Sequence, residues 1–174
     1  MGKRISVAAA KAKGRKLQQE IAASISELID IPWGKDLLIS SRPMGQSGVD
    51  IALIGEALIK FPWSVEAKYC EKLNVPGWIK QASTNTLPDT NWLLVFRKNR
   101  FKSAVVFEEE VFQELFDISD FEHVIYEQKT WKLEKWISDH RDSSKKWLIR
   151  LHKPDYTPLV CLDMTIFFEG LTNR

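Results

Sequence analysis

The chain of 174 residues is 44% hydrophobic and 28% charged, with a formal net charge of +2, an ordinary globular composition that excludes wholesale disorder. Its uncharged apolar runs fall short of the roughly 20 residues a membrane-spanning helix needs, and Val7 to Ala10 is too short for a signal-peptide core. Two cysteines, Cys70 and Cys161, make no disulfide framework, so a reducing cytoplasmic setting with no membrane partner is the expectation.

His123, His140 and His152 share no metal-ligand spacing with one another or with the cysteines, which argues against zinc. The basic residues are clustered. Lys3, Arg4, Lys11, Lys13, Arg15 and Lys16 precede the first acid, Glu20; Arg97, Lys98, Arg100 and Lys102 form a second group, and Lys145, Lys146, Arg150 and Lys153 a third. Such clusters can build a stripe that faces phosphates, or they can be solvated surface.

Residues 1–12 read as a basic N-terminal arm. From Lys11 the spacing of Leu17, Ile21, Ile25 and Leu28 predicts a helix, stopped by the proline and glycine of Asp30-Ile31-Pro32-Trp33-Gly34. Glu20 falls at the margin of its apolar stripe. Leu37 to Ser40 reads as a short strand, Arg42 to Gly48 as a loop with two glycines, Val49 to Ile54 as a strand headed by Asp50, and Gly55 to Lys60 as its turn.

In Trp63-Ser64-Val65-Glu66-Ala67-Lys68-Tyr69-Cys70 the apolar residues take every second position, which predicts a strand with Ser64, Glu66 and Lys68 on one face. A short helix follows at Trp78 to Ser83, then a strand at Trp92 to Phe96, a turn at Lys98 to Arg100, a returning strand at Lys102 to Phe107 and a helix at Glu108 to Phe116. Helices alternating with strands predict an α/β or α+β core of three to five mixed strands.

Residues 117–174 read as a C-terminal α/β extension. The segment from Trp147 aligns without gaps on the segment from Trp92 at an offset of 55 residues, keeping Phe112/Phe167 and Glu114/Glu169 in step. Trp136 mirrors Trp78, and Glu127-Gln128-Lys129 faintly echoes Glu66-Ala67-Lys68. The extension is therefore either a degenerate half-repeat of the core hairpin or another hairpin with a helix.

If the Asp50 and Glu66 strands pair antiparallel as a hairpin, their carboxylates converge on one sheet edge. With the Ala67 carbonyl they would form a hard-oxygen site suited to Mg²⁺, which keeps several waters and accepts phosphate oxygens. A water on such an ion is a nucleophile for in-line attack on phosphorus. Lys68 would hold that nucleophile or offset charge on the phosphate, and Glu20 could reach the same edge.

With Gly48-Val49-Asp50, Glu66-Ala67-Lys68 and Lys13-Gly14-Arg15-Lys16-Leu17-Gln18-Gln19-Glu20 taken together, the chain resembles the PD-(D/E)xK nuclease superfamily. The resemblance is to archaeal-type Holliday junction resolvases and phage-encoded resolvase-like proteins in particular, and it covers residues 13–116. It implies a restriction-endonuclease-like core with a central mixed β-sheet flanked by helices. It further implies that Glu20, Asp50 and Glu66 bind metal with the Ala67 carbonyl, that Lys68 completes the catalytic set, and that Ser40 or Ser41 lies near the scissile phosphate. Gln81 matches a helix position that is often polar in the superfamily. Val49 stands where many members have proline.

The resemblance thus implies a Mg²⁺-dependent endodeoxyribonuclease, with Mn²⁺ able to substitute, acting on branched DNA such as a four-way junction and working as a homodimer. Lys13, Arg15, Lys16, Arg42, Lys80, Gln81, Arg97, Lys98, Arg100 and Lys102 would contact DNA, positioning it without reading sequence. A repair, flap or restriction-like endonuclease of the same fold, or a non-catalytic DNA-binding protein, are the alternatives.

Overall fold

The structure is a computed structural model in which residues 6–43, 47–127, 146–152 and 157–172 are described. Helix α1 (Val7–Ile29) opens the chain, with Ser6 as its N-cap. It therefore begins inside the segment expected to be a basic arm. Leu17, Ile21, Ala22, Ile25 and Ile29 form its buried stripe, and Asp30, in the left-handed conformation at φ 53°, ends it.

Strands β1 (Ile39–Ser41) and β2 (Ile51–Leu53) pair antiparallel as a separate two-stranded sheet, with Ser40 opposite Ala52. Helix α2 (Glu56–Lys60) occupies the expected turn and leads into β3 (Trp63–Cys70), whose bounds match the alternating segment. Helix α3 (Val75–Thr84), with Pro76 in its first turn, carries the chain to β4 (Asn91–Lys98) and its hairpin partner β5 (Ala104–Glu108). Next come α4 (Glu109–Leu115), a 3₁₀ turn at Ile118–Asp120, β6 (His123–Glu127), β7 (Trp147–Leu151), β8 (Leu159–Asp163) and α5 (Met164–Thr172).

The fold is mixed α/β. Its main sheet has six strands in the order β3-β4-β5-β8-β7-β6, more than the three to five expected, because the C-terminal strands join the same sheet. β3 and β4 are parallel, as are β6 and β7, and the other neighbours are antiparallel. The offset of 55 residues carries Leu94↔Val106 onto Ile149↔Cys161 and Phe96↔Ala104 onto Leu151↔Leu159. Leu94 and Phe96 map by this offset onto Ile149 and Leu151, whose partners on β6 are Ile125 and Glu127 where those on β3 are Glu66 and Lys68. In ladder register, then, Ile125 corresponds to Glu66 and Glu127 to Lys68, two residues away from the echo read in the sequence. Lys129 and Trp136 lie outside the described residues.

Two apolar layers sandwich the sheet. On one face Val65, Leu93, Val95, Val105, Phe107, Leu148, Val160 and Leu162 pack with the stripe of α1 and with Phe112, Phe116 and Phe167. On the other, Leu94, Phe96, Val106, Ile149 and Cys161 pack with Val75 and Ala82 of α3. Each fully buried Leu, Ile or Phe contributes about 1.5–3 kcal/mol. What positions the site is the resulting sandwich around β3: α1 lies on the face of Trp63, Val65, Ala67 and Tyr69, while Ser64, Glu66 and Lys68 project from the opposite face.

Candidate active site

β3 is an edge strand of the six-stranded sheet, with β4 on one side. An edge offers unpaired N–H and C=O groups, and here Asp50 takes them. Its backbone N–H donates to the Val65 carbonyl (2.8 Å), and its Oδ2 accepts the Ala67 N–H (2.7 Å). The backbone of a strand alternates sides, so the Ala67 carbonyl faces the same edge as the Val65 carbonyl. Asp50, Glu66, Lys68 and the Ala67 backbone are therefore brought together. The expected β2–β3 hairpin is not how this happens. β2 pairs with β1, α2 intervenes, and Asp50, just before β2, makes the link to β3.

Glu66 is 2% exposed, and its Oε1 lies 2.5 Å from Lys68 Nζ while Oε2 accepts from Asn85 Nδ2 at 3.3 Å. Burial pushes its carboxyl above the ordinary range, and the Asp50 charge pushes the same way; the hydrogen bond from Lys68 opposes both without cancelling them. Asn85 Nδ2 also donates to the Gly48 carbonyl at 3.2 Å, so the end of α3 ties Glu66 to the loop ahead of Asp50. Ser41 faces Ile51 across the β1–β2 ladder, and the Arg42 N–H continues it to the Asp50 carbonyl (2.9 Å). Ser40 and Ser41 are thus adjacent to the segment carrying Asp50. Arg42 reaches the Ser47 carbonyl at 3.0 Å. Gly48, at φ 101°, lies so close that an added Cβ would stand 2.8 Å from the Arg42 guanidinium.

Glu20 is not brought to Asp50. Its Oε2 lies 2.5 Å from Arg97 of β4, whose Nε donates to Ser103 Oγ at 2.8 Å. The cause is helix phase: at 3.6 residues per turn, Gln18 and Glu20 are about 200° apart around α1. They consequently flank the buried stripe on opposite sides, Glu20 toward β4 and Gln18 toward the free edge of β3. It is Gln18 Nε2 that donates to Asp50 Oδ1, at 2.8 Å. Gln18 and Asn85 were not singled out from the sequence. The available signal for Gln18 was an amide four residues before Ala22, at the flank of the apolar stripe.

The basic residues divide by location. Lys13 donates to Asn99 Oδ1 (2.8 Å), and its ammonium and the Arg97 guanidinium both lie over Tyr69, at 5.5 and 5.9 Å from the ring centre. Lys98 lies over Phe101 at 5.2 Å, while Arg100 and Lys102 are exposed at the turn between β4 and β5. Arg15 and Lys16 are exposed on α1, and Lys80 and Gln81 on α3. In the third cluster Arg150 and His152 converge on buried Glu109, and Lys145 and Lys153 lie outside the described residues. Cys70 and Cys161 are free thiols, and burial pushes Cys70 up to about 11.

Among the described residues no group of three or more His, Cys, Asp or Glu side chains is placed to hold a metal ion. The donor set at β3 is nevertheless a hard-oxygen one: two adjacent carboxylates, one of them destabilised by the other's charge, and a backbone carbonyl on the same edge. That set fits a single hard divalent cation that retains waters. Glu20 lies outside this set, its carboxylate held by Arg97. No helix among the described residues is long and apolar enough to cross a membrane. No protein-family model matches the chain, and no curated protein or solved structure matches it either.

Proposed function

We propose that the protein is a Mg²⁺-dependent endodeoxyribonuclease with a PD-(D/E)xK-type site and a restriction-endonuclease-like core, selective for branched DNA. The observation that carries this reading is the Asp50–Ala67 link of 2.7 Å, which fastens an aspartate to the strand edge at the residue between Glu66 and Lys68. A surface ion pair has no need of a second, adjacent carboxylate or of a glutamate only 2% exposed.

When bound, Mg²⁺ (or Mn²⁺) supplies Lewis acidity toward the phosphodiester and lowers the pKa of the water that attacks it. Asp50 and Glu66 would hold the cation, with the Ala67 carbonyl beside them. Lys68, one quarter exposed by its side chain, can leave Glu66 to hold the attacking water or to offset charge gathering on the phosphate. The Ala67 N–H and Gln18 fix the Asp50 carboxylate, and Asn85 fixes Glu66, so little reorganisation is left for the chemical step.

DNA selection rests on the basic surfaces. Lys13, Arg15 and Lys16 of α1, the Arg97–Lys102 turn, Arg42 beside the Asp50 segment, and Lys80 and Gln81 on α3 would supply the contacts. Such contacts grip phosphates rather than bases, which suits recognition by shape. Symmetric cutting of a four-way junction needs two sites, hence a homodimer.

The test is cleavage of a synthetic four-way junction, a flap and a linear duplex in Mg²⁺ or Mn²⁺ by the wild type, Asp50→Asn and Lys68→Ala. Junction-selective cutting lost in both variants supports the reading. Equal cutting of duplex and junction removes the resolvase assignment, and no cutting of any substrate removes the enzyme in favour of a DNA-binding protein.

A further inference from the structure

We propose that Gln18 belongs to the cation site, with its side-chain carbonyl facing the ion directly or through a water, so that the site is two carboxylates and an amide rather than three carboxylates. The inference rests on the metal-dependent reading above and goes beyond it by assigning a residue and a consequence for cation affinity.

Gln18 is 3% exposed and lies in the buried flank of α1, where an amide is unfavourable unless its polar atoms are partnered. Nε2 is partnered, donating to Asp50 Oδ1 at 2.8 Å. Oε1 is not: it is the one buried side-chain oxygen or nitrogen among the described residues that no protein group reaches. An apolar residue of similar volume would fill this position on α1 without leaving an acceptor unmatched. The orphan oxygen belongs to the same planar amide as the nitrogen on Asp50. It is therefore held beside the carboxylate that any cation at this edge must use. A neutral carbonyl-type oxygen is an ordinary ligand for a hard divalent ion, and a ligand for its waters.

The amide also has a role without the ion. Asp50 and Glu66 already repel one another, and a third acid at position 18 would add to that repulsion where a glutamine donates an N–H instead. The amide thus lowers the charge count of the site. Affinity for divalent ions at oxygen sites follows ligand charge, so this chain should bind Mg²⁺ less tightly than the same site bearing a glutamate there.

The experiment follows thermal unfolding of the full chain without DNA, titrated from chelator into MgCl₂ or MnCl₂, for wild type, Gln18→Leu, Gln18→Glu and Asp50→Asn. Binding to the folded state alone raises stability as RT ln(1 + L/Kd) for a free cation concentration L, and Tm with it. The wild type should show a cation-dependent rise that Asp50→Asn abolishes. Gln18→Leu should need about 10-fold more cation for the same rise, and Gln18→Glu should melt lower in chelator yet respond at lower cation concentration. If Gln18→Leu does not fold, the Gln18→Glu titration decides alone. Both variants titrating like the wild type, with Asp50→Asn silent, would overturn the role of Gln18 and leave the metal site standing. A wild type whose melting ignores both cations would overturn the metal reading and this inference with it.

Discussion

Val106 and Cys161 face one another across the β5–β8 ladder at the point where the sheet's two three-stranded halves meet. They are also partners under the 55-residue offset, so the pairing Ala104↔Asp163 on one side is answered by Glu108↔Leu159 on the other. The sheet accordingly has a pseudo-two-fold axis through this pair, and both residues are fully buried. A chain ending at residue 116 would lose β8 from the middle of the sheet and expose Val105, Val106 and Phe107. We expect the 1–116 fragment to lack a cooperative thermal transition where the full chain shows one, as followed by circular dichroism. A fragment that melts cooperatively would show that residues 13–116 fold without the rest.

The Glu20–Arg97 pair holds Glu20 away from Asp50 and Glu66, the carboxylates with which the resemblance would unite it. Both side chains are partly exposed, 33% and 21%, so the pair itself contributes no more than about 1 kcal/mol. Glu20→Gln should therefore shift unfolding only slightly, and should slow junction cleavage far less than Asp50→Asn does. Single-turnover rates of the two variants, measured side by side, check this ordering. Equal losses would place Glu20 at the chemistry in the DNA complex.

Glu66 makes stability depend on pH in a definite direction. Its folded-state pKa is raised above 4.5, chiefly by burial. Between its unfolded and folded pKa values the folded chain therefore binds more protons than the unfolded one, and stability falls as pH rises through that window. In chelator, the wild type should lose part of its stability as pH climbs above 4.5, measured against Glu66→Gln, which should lack that component. The same variant should be at least as stable as the wild type at neutral pH while failing to cut DNA. A destabilised Glu66→Gln would mean that the Lys68 bond outweighs burial.

Legibility differed from element to element for physical reasons. β3 could be read to the residue because strict alternation fixes both strand and faces, and its polar face did carry Glu66 and Lys68 away from α1. The hairpin expected from β2 did not form with β3, because three-residue strands hold too little pattern to name a partner and α2 was hidden in an apparent turn. Gln18 is nearly silent in the sequence because Leu17, Ile21 and Ile25 define the helical stripe by themselves, and an uncharged amide at its flank carries little signal until the helix phase turns it toward Asp50. The central place of β8 depends on a ladder between residues about 55 apart, which no local pattern encodes.

Gly170 locks α5 to the body of the fold. Gly170 lies against Phe116 so closely that a Cβ would come 2.1 Å from the ring carbon Cε1 and 2.9 Å from Cδ1. Phe116 is itself wedged among Phe107, Phe112, Phe121 and Phe167, with ring centres 5.3–6.4 Å apart. The ring therefore cannot swing aside without displacing others that are just as confined. Helix propensity favours alanine over glycine by about 1 kcal/mol, yet overpacking of this kind costs about 1–3 kcal/mol or more, so the clash should win. Gly170→Ala is expected to lower stability in chemical denaturation, and Gly170→Ala combined with Phe116→Leu to recover part of the loss. The side-chain partners of Asp50 and Glu66 are Gln18, Ala67, Lys68 and Asn85 rather than any residue of α5 or Phe116, so the cation-dependent rise in Tm should survive in the folded fraction. A stabilised Gly170→Ala would mean that the aromatic cluster yields where the close contacts say it cannot.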